Sequence, residues 1–254
     1  MRLHRGLAIR GRVLTPSGEP AKYASIRISG TTSGVFGQEN MNDPEGRFVL
    51  GPLEAGEVTL RASSMGDFVD SESVAARPGD VDFVLRFRTG GALRGLVVNK
   101  TDGAPTAATV LVRDHAGTGV SMPRANAQGV FELAGLAPGL YDVSASTSNG
   151  AVGLARDIEV TAGASRDVRV EVEAGARVRV RYAGPWPNVG ISVYVGDALF
   201  ATNGMPKGTE TTLTAPVGAI VVRIRNYAEK TEFDLPLVLT VGETRDVVFD
   251  GTWK

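Results

Sequence analysis

The stretch Asn126–Val143, NAQGVFELAGLAPGLYDV, decides how the chain is built, because it occurs more than once. Gly129, Phe131, Leu133, Leu136, Gly139, Tyr141 and Val143 set a pattern. Gly46, Phe48, Leu50, Leu53, Gly56, Val58 and Leu60 repeat it at a constant offset of 83. A worn third copy, TTLTAPVGAIVVRI, keeps Leu213, Pro216, Gly218, Ile220 and Val222. A fixed period of this length marks a repeat architecture and must be read before anything else. The first two copies open on an Asn or Asp turn closed by glycine, Asn126–Gly129 and Asp43–Gly46, chemistry that the third has mostly lost. Phe131/Leu133 and Phe48/Leu50 then share one face, the period of a half-buried strand. Ala137-Pro138-Gly139 crosses the core, and Tyr141/Val143/Ala145 begin a second alternation. No helix keeps this spacing.

Working outward, the first repeat begins with Leu7, Ile9 and Val13 alternating around Gly11, then the turn TPSGEP and the run Ala24, Ile26, Ile28. Residues 30–42 are rich in glycine and threonine and read as a short irregular edge strand. Phe83, Leu85 and Phe87 close the repeat. Leu93, Gly95 and Val97 restart the plan at an offset of 84, and Val110/Val112 replace Ile26/Ile28. The endings TAGASRDVRVEV and TVGETRDVVFD match each other at an offset of 79. The third repeat begins near Gly175 with Val178, Val180 and Tyr182, and has lost the glycine of its first strand. The junctions RFRTGG and VEAGAR are too short and too poor in serine for flexible linkers. Three beads on a stiff rod are expected, with boundaries at 1–89, 90–173 and 174–254.

Short strands, turn signals every few residues and no helical period predict antiparallel sandwiches. The string "G-x-V, turn with Pro, alternating run, D/N-x-x-G-x-F-x-L, x-x-L-x-x-G-x-Y-x-V" resembles the carboxypeptidase regulatory-like domain. The resemblance covers residues 7–88 and 91–172 in full and only the second half of 175–250. It implies an all-β chain of three tandem seven-stranded antiparallel Ig-like, prealbumin-like β-sandwich domains. It also implies repeated modules of secreted or surface proteins of bacteria, or an appendage to a metallocarboxypeptidase catalytic domain.

Composition narrows the function classes. With 27 basic and 28 acidic residues, a net charge of −1 and 43% hydrophobic residues, the chain is globular and has no surplus charge for nucleic acid or an anionic membrane. No apolar run approaches a membrane span, so no membrane insertion is expected. There is no cysteine, hence no disulfide, thiol nucleophile or zinc–cysteine site. The N-terminus lacks the apolar core and cleavage site of a signal. The expectation is an excised part of a larger extracellular, cell-surface or periplasmic protein.

Candidate chemistry is sparse. His4 falls in the N-terminal segment, and His115, in RDHAGTG, reads as a surface turn residue without catalytic partners. No HExxH, phosphate-binding glycine loop or GxSxG is present, so no catalytic residue, cofactor or metal ligand is assigned and no enzyme is expected. Asp67, Asp70 and Glu72 are close enough in sequence to suggest calcium, but the spacing matches no calcium loop. Charges that keep a sheet edge from pairing explain them as well. Trp186, held between Pro185 and Pro187, reads either as a plug over one end of the third sandwich or as a sugar-stacking platform. Two functions stand side by side: a non-catalytic spacer, stalk or protein-interaction region, and a carbohydrate- or small-ligand-binding module using Trp186, Tyr182, Tyr194 and Tyr227. A protein or a glycan partner fits these readings, and the oligomeric state is open.

Overall fold

The computed structural model describes residues 7–30, 36–64, 66–117 and 119–252. His4, and residues 31–35 of the 30–42 stretch, lie outside the described residues. The described residues form strands and turns with no helix.

The first repeat contributes β1 (Leu7–Leu14), β2 (Tyr23–Gly30), β3 (Phe36–Asn42), β4 (Arg47–Leu53), β5 (Val58–Ser63), β6 (Val74–Ala76) and β7 (Phe83–Arg86). They form two sheets, ordered β4-β1-β7 and β3-β2-β5-β6. Ile9, Val13, Ile26, Leu50, Leu60 and Leu85 from the two sheets meet in one core. The expected irregular edge strand is instead regular over 36–42. It pairs with β2 from Ser29↔Phe36 to Tyr23↔Asn42 without a break.

The last repeat keeps this plan. Its strands are β16 (Ala176–Tyr182), β17 (Asn188–Val195), β18 (Ala198–Pro206), β19 (Glu210–Ala215), β20 (Gly218–Asn226), β21 (Thr231–Leu239) and β22 (Thr244–Phe249), in sheets β19-β16-β22 and β18-β17-β20-β21. Neither of these repeats is purely antiparallel, which corrects the sequence reading. β1 pairs in parallel with β7, and β16 with β22. Seven strands of alternating direction bring the last one back running with the first, and here the two lie side by side.

The middle repeat departs further. β8 (Gly91–Asn99), β9 (Ala108–Asp114), β10 (Val120–Ser121), β11 (Arg124–Ala125), β12 (Val130–Leu136), β13 (Gly139–Ser146), β14 (Ala151–Val160) and β15 (Ser165–Ala174) form one hydrogen-bonded path, β10-β9-β13-β14-β15-β8-β12. The long β14 joins what are separate sheets in the other repeats. Its first residues pair with the end of β15, Ala151↔Ala174 and Val152↔Glu173, and the path continues to β13. β10 and β11 both pair with β9 and are two pieces of one edge interrupted at Met122-Pro123. Pro123 has no N–H to give, but its carbonyl still accepts from the Val110 amide at 3.0 Å.

The repeated motif has a steric basis. Gly11 lies opposite Phe48 across β1 and β4. A Cβ on Gly11 would sit 2.7 Å from the Phe48 ring, and one on Gly95 would sit 1.8 Å from the Phe131 ring. Each glycine is the floor on which an aromatic ring lies. The amides of Val13, Val97 and Tyr182 donate to the carbonyls of Gly46, Gly129 and Thr209, which fixes the equivalence of the three repeats. Counting from there, the Gly–Phe pair becomes Val180 opposite Thr211 in the third repeat. Floor and ring changed together, one growing and the other shrinking.

By compactness the chain forms two units. One holds the first repeat with Leu133–Pro138 and Val160–Ser165. The other holds the rest of the second repeat and the whole third repeat. In that second unit the core of the third repeat includes Val152, with Leu154 packed against it, both from β14.

Candidate functional site

The four aromatics named from the sequence do not converge. Tyr182 is fully buried. Its hydroxyl accepts from the Trp186 amide at 2.8 Å and donates to the Trp186 carbonyl at 3.0 Å, pinning the Gly184-Pro185-Trp186-Pro187 loop. Burial pushes the Tyr182 phenol above its ordinary pKa. The Trp186 indole is half-buried and packs on Phe233 (centroids 5.7 Å apart) and Phe249 (6.2 Å). This is the geometry of a plug. Tyr182 therefore belongs to the core and offers no face to a surface ligand, because it replaces the smaller Val13 and Val97 of the other repeats. Tyr227 is 64% exposed and lies over Gly190, whose absent Cβ leaves the room. Tyr194 has a different setting: the Arg223 guanidinium stands 4.9 Å from its ring centre and that of Arg113 5.8 Å.

In the acidic run of the first repeat, Asp70 and Glu72 are occupied by their own neighbours. Asp70 accepts from the Ser64 amide at 3.1 Å and the Ser63 hydroxyl at 3.0 Å, and pairs with Arg61 at 3.2 Å. Glu72 pairs with Arg88 at 2.8 Å.

The densest chemistry surrounds His115, in the second unit. Its Nε2 stands 3.0 Å from Oδ1 of Asp142 and 3.9 Å from Oδ1 of Asp157. The Asp157 amide donates to the same Asp142 oxygen at 3.2 Å. Arg156 Nε lies 3.7 Å from it, and the Arg156 guanidinium reaches on to pair with Asp197, at the β17–β18 turn of the third repeat. The hydrogen bond from Arg156 holds the Asp197 carboxyl below its ordinary pKa and raises that of Arg156. His115 is thus not the partnerless turn histidine that the sequence suggested.

The sequence reading missed this cluster because strand alternation assigns Asp142 and Ser144 to the solvent face of β13. Both are instead buried, at 5% and 3% exposure. The third repeat covers that face: the Ser144 hydroxyl donates to the Phe200 carbonyl at 2.7 Å, and Arg113 donates to the Tyr194 hydroxyl at 3.4 Å. A signal was present. At the outward positions held by Arg27 and Arg61 in the first repeat, the second has Leu111 and Ser144, of which Leu111 is 6% exposed. Loss of charge from an outward face marks a covered one.

The carboxypeptidase regulatory-like domain model matches residues 8–86 and 92–173, more than half of the chain. The chain belongs to the carboxypeptidase regulatory-like domain family. In that family's terms the two matched copies are the repeats with the glycine floor and aromatic ring, and the unmatched third is the one that lost both. No curated protein sequence matches the chain. Among solved structures, the Bacillus anthracis TIE protein aligns over 96% of this chain and 50% of its own, at 14% identity and a TM-score of 0.29. This chain therefore spans half the length of that one. GBS52, the minor pilin of Streptococcus agalactiae, aligns over 65% of this chain and 95% of its own at 11% identity and a TM-score of 0.37. The shaft pilin SpaA of Lactobacillus rhamnosus GG aligns over 66% and 98% at 10% identity and a TM-score of 0.35.

Proposed function

We propose that the chain is a non-catalytic spacer, a stalk or protein-interaction region made of three tandem seven-stranded β-sandwich modules at 1–89, 90–173 and 174–254. The observation that carries this reading is the way the second and third repeats are fastened. At the Ala174-Gly175-Ala176 junction the Gly175 amide donates to Gly150 at 3.2 Å. Its carbonyl accepts from Gly242 of the third repeat at 2.9 Å, so Gly175 is held from both sides. A Cβ on Gly175 would lie 2.7 Å from Val152 and 2.8 Å from the Ala215 carbonyl. A chain that must transmit position needs such a pinned joint, and an enzyme needs a pocket of converging reactive groups instead. Family membership supports the same reading, as does the extracellular, cell-surface or periplasmic placement that the resemblance implies.

The test exploits the absence of cysteine. Spin labels at Thr101→Cys and Glu229→Cys, both exposed, place one probe in each of the fastened repeats. A narrow distance distribution in solution supports the spacer, and a broad one refutes it. The carbohydrate alternative retains one largely exposed aromatic, Tyr227, with the Arg225 guanidinium 6.0 Å from its ring centre. Glycan binding that Tyr227→Ala abolishes, with the fold unchanged, would replace the spacer reading.

A further inference from the structure

At ion-pair distance the cluster holds three carboxylates, Asp142, Asp157 and Asp197, against the His115 ring and one guanidinium, Arg156. The cluster is built from three separate elements. His115 lies on the turn after β9, Asp142 in the middle of β13 and Asp157 on β14, and their ligating atoms all fall within 4.8 Å of one another. Asp142 is anchored: its side chain is 7% exposed and its position on the strand is held by its neighbours on β9. Asp157, 68% exposed, is free to close in.

We propose that His115, Asp142 and Asp157 form a binding site for a divalent first-row transition ion of the zinc class. A zinc ion bonds imidazole nitrogen and carboxylate oxygen at about 2.0–2.2 Å, so adjacent ligand atoms sit roughly 3–3.5 Å apart. In the metal-free protein the 3.0 Å contact between His115 Nε2 and Asp142 Oδ1 is a hydrogen bond, whose proton the ion would replace at a spacing that already suits it, and the 3.9 Å to Asp157 closes by a small rotation of an exposed side chain. One imidazole with two carboxylates suits zinc or cobalt better than calcium, which takes six to eight oxygens. Water would fill the remaining positions. The ion would offset the carboxylate charge and leave Arg156 to its partner Asp197. It would also fasten β9, β13 and β14 to one another beside the contact with the third repeat.

The test is calorimetric titration of the full, untagged, chelator-treated chain with zinc chloride near neutral pH. Cobalt(II) absorption serves as a second readout of imidazole ligation. The expected result is one equivalent bound, weakened by at least about tenfold in His115→Ala and in Asp157→Asn. Asp157→Asn should melt as the parent does in chelator, since it changes a largely exposed side chain. His4→Ala should bind as the parent does, and calcium in excess should not displace the zinc. No binding by the parent, or binding that survives His115→Ala, or binding lost only in His4→Ala, each overturns the proposal.

Discussion

Replacing Gly95 by valine and Phe131 by threonine, singly and together, tests the steric account of the repeat motif. Phe131 is 3% exposed, so nearly its whole ring is out of water. An aromatic side chain covers at least about 150 Å², which at about 25 cal/mol per Å² corresponds to about 4 kcal/mol. That falls within the roughly 3–5 kcal/mol found for truncating buried aromatics. The single change Phe131→Thr should therefore cost about 3–4 kcal/mol. Gly95→Val puts a Cβ 1.8 Å from Cε1 and 2.0 Å from Cζ of the ring, far inside contact distance. Overpacking of this kind costs about 1–3 kcal/mol, and this clash belongs at the upper end. The double variant reproduces the Val180–Thr211 pairing of the third repeat. It should recover about 1–3 kcal/mol relative to the sum of the singles. Hydrogen exchange of peptides from β8 and β12 reads the local opening free energy. Tryptophan fluorescence, from Trp186 and Trp253, reports the third repeat and should not change under native conditions. If the two costs add within about 0.5 kcal/mol, glycine and ring do not share one space and the account fails.

Other outcomes follow from the same geometry. Trp186→Ala should destabilise the third repeat by roughly 3 kcal/mol, the low end for an aromatic because the indole is half-buried; an unchanged urea midpoint by circular dichroism would rule out the plug. Gly129→Ala forces a Cβ into a φ of +71°, 2.2 Å from the Val97 carbonyl. It should cost about 1–3 kcal/mol or more, read as a lowered melting temperature, whereas Gly103→Ala, with nothing within 4 Å of its Cβ, should cost less. The Asp197 carboxyl is held low by Arg156, so its contribution is present above the unfolded value of about 3.9 and is lost as the pH falls through the lower folded value. Hydrogen exchange in β13 and β18 should rise in that acid window, and Asp197→Asn should remove the pH dependence; an identical acid profile in the variant would contradict the assignment.

The inward faces of the repeats were legible because they obey local rules. Ile9, Val13, Phe48 and Leu50 alternate in sequence and meet in one core, and the turn glycines Gly46 and Gly129 have positive φ. The outward faces were not. Whether Asp142 and Ser144 meet water depends on what covers them, and the covering strand, β18, lies more than fifty residues away in sequence. Alternation within β13 carries no trace of it, and only comparison with the first repeat, where Arg61 stands in place of Ser144, hints at a covered face. The parallel pairing of first and last strands was likewise invisible, since alternation reports which face a residue takes and not which neighbour its strand finds. His115 was misread for the same reason: its two carboxylates come from other strands.

The divergence of the third repeat and the covering of the second follow one logic. Where Val13 and Val97 sit in the first two repeats, the third has Tyr182, which brings in Phe249, Phe233 and the Trp186 loop as a larger aromatic core. The third repeat also receives Val152 and Leu154 from β14 into the same cluster. A module that takes part of its core from its neighbour is no longer free to keep the self-contained Gly–Phe arrangement. The neighbour in turn gives up charge on the face that is covered, Leu111 and Ser144 standing where the first repeat has arginines. Dependence on a neighbour is the normal condition of repeat modules, whose stability is a sum of intrinsic and interface contributions. It leads to a separation experiment. Residues 174–254 expressed alone lose Val152, Leu154 and the Arg156–Asp197 pair. They should open to exchange in β16 and β18 far more readily than in the longer chain beginning at residue 90. Equal protection in the two would mean that the third repeat is self-sufficient and that its contact with the second is incidental to its fold.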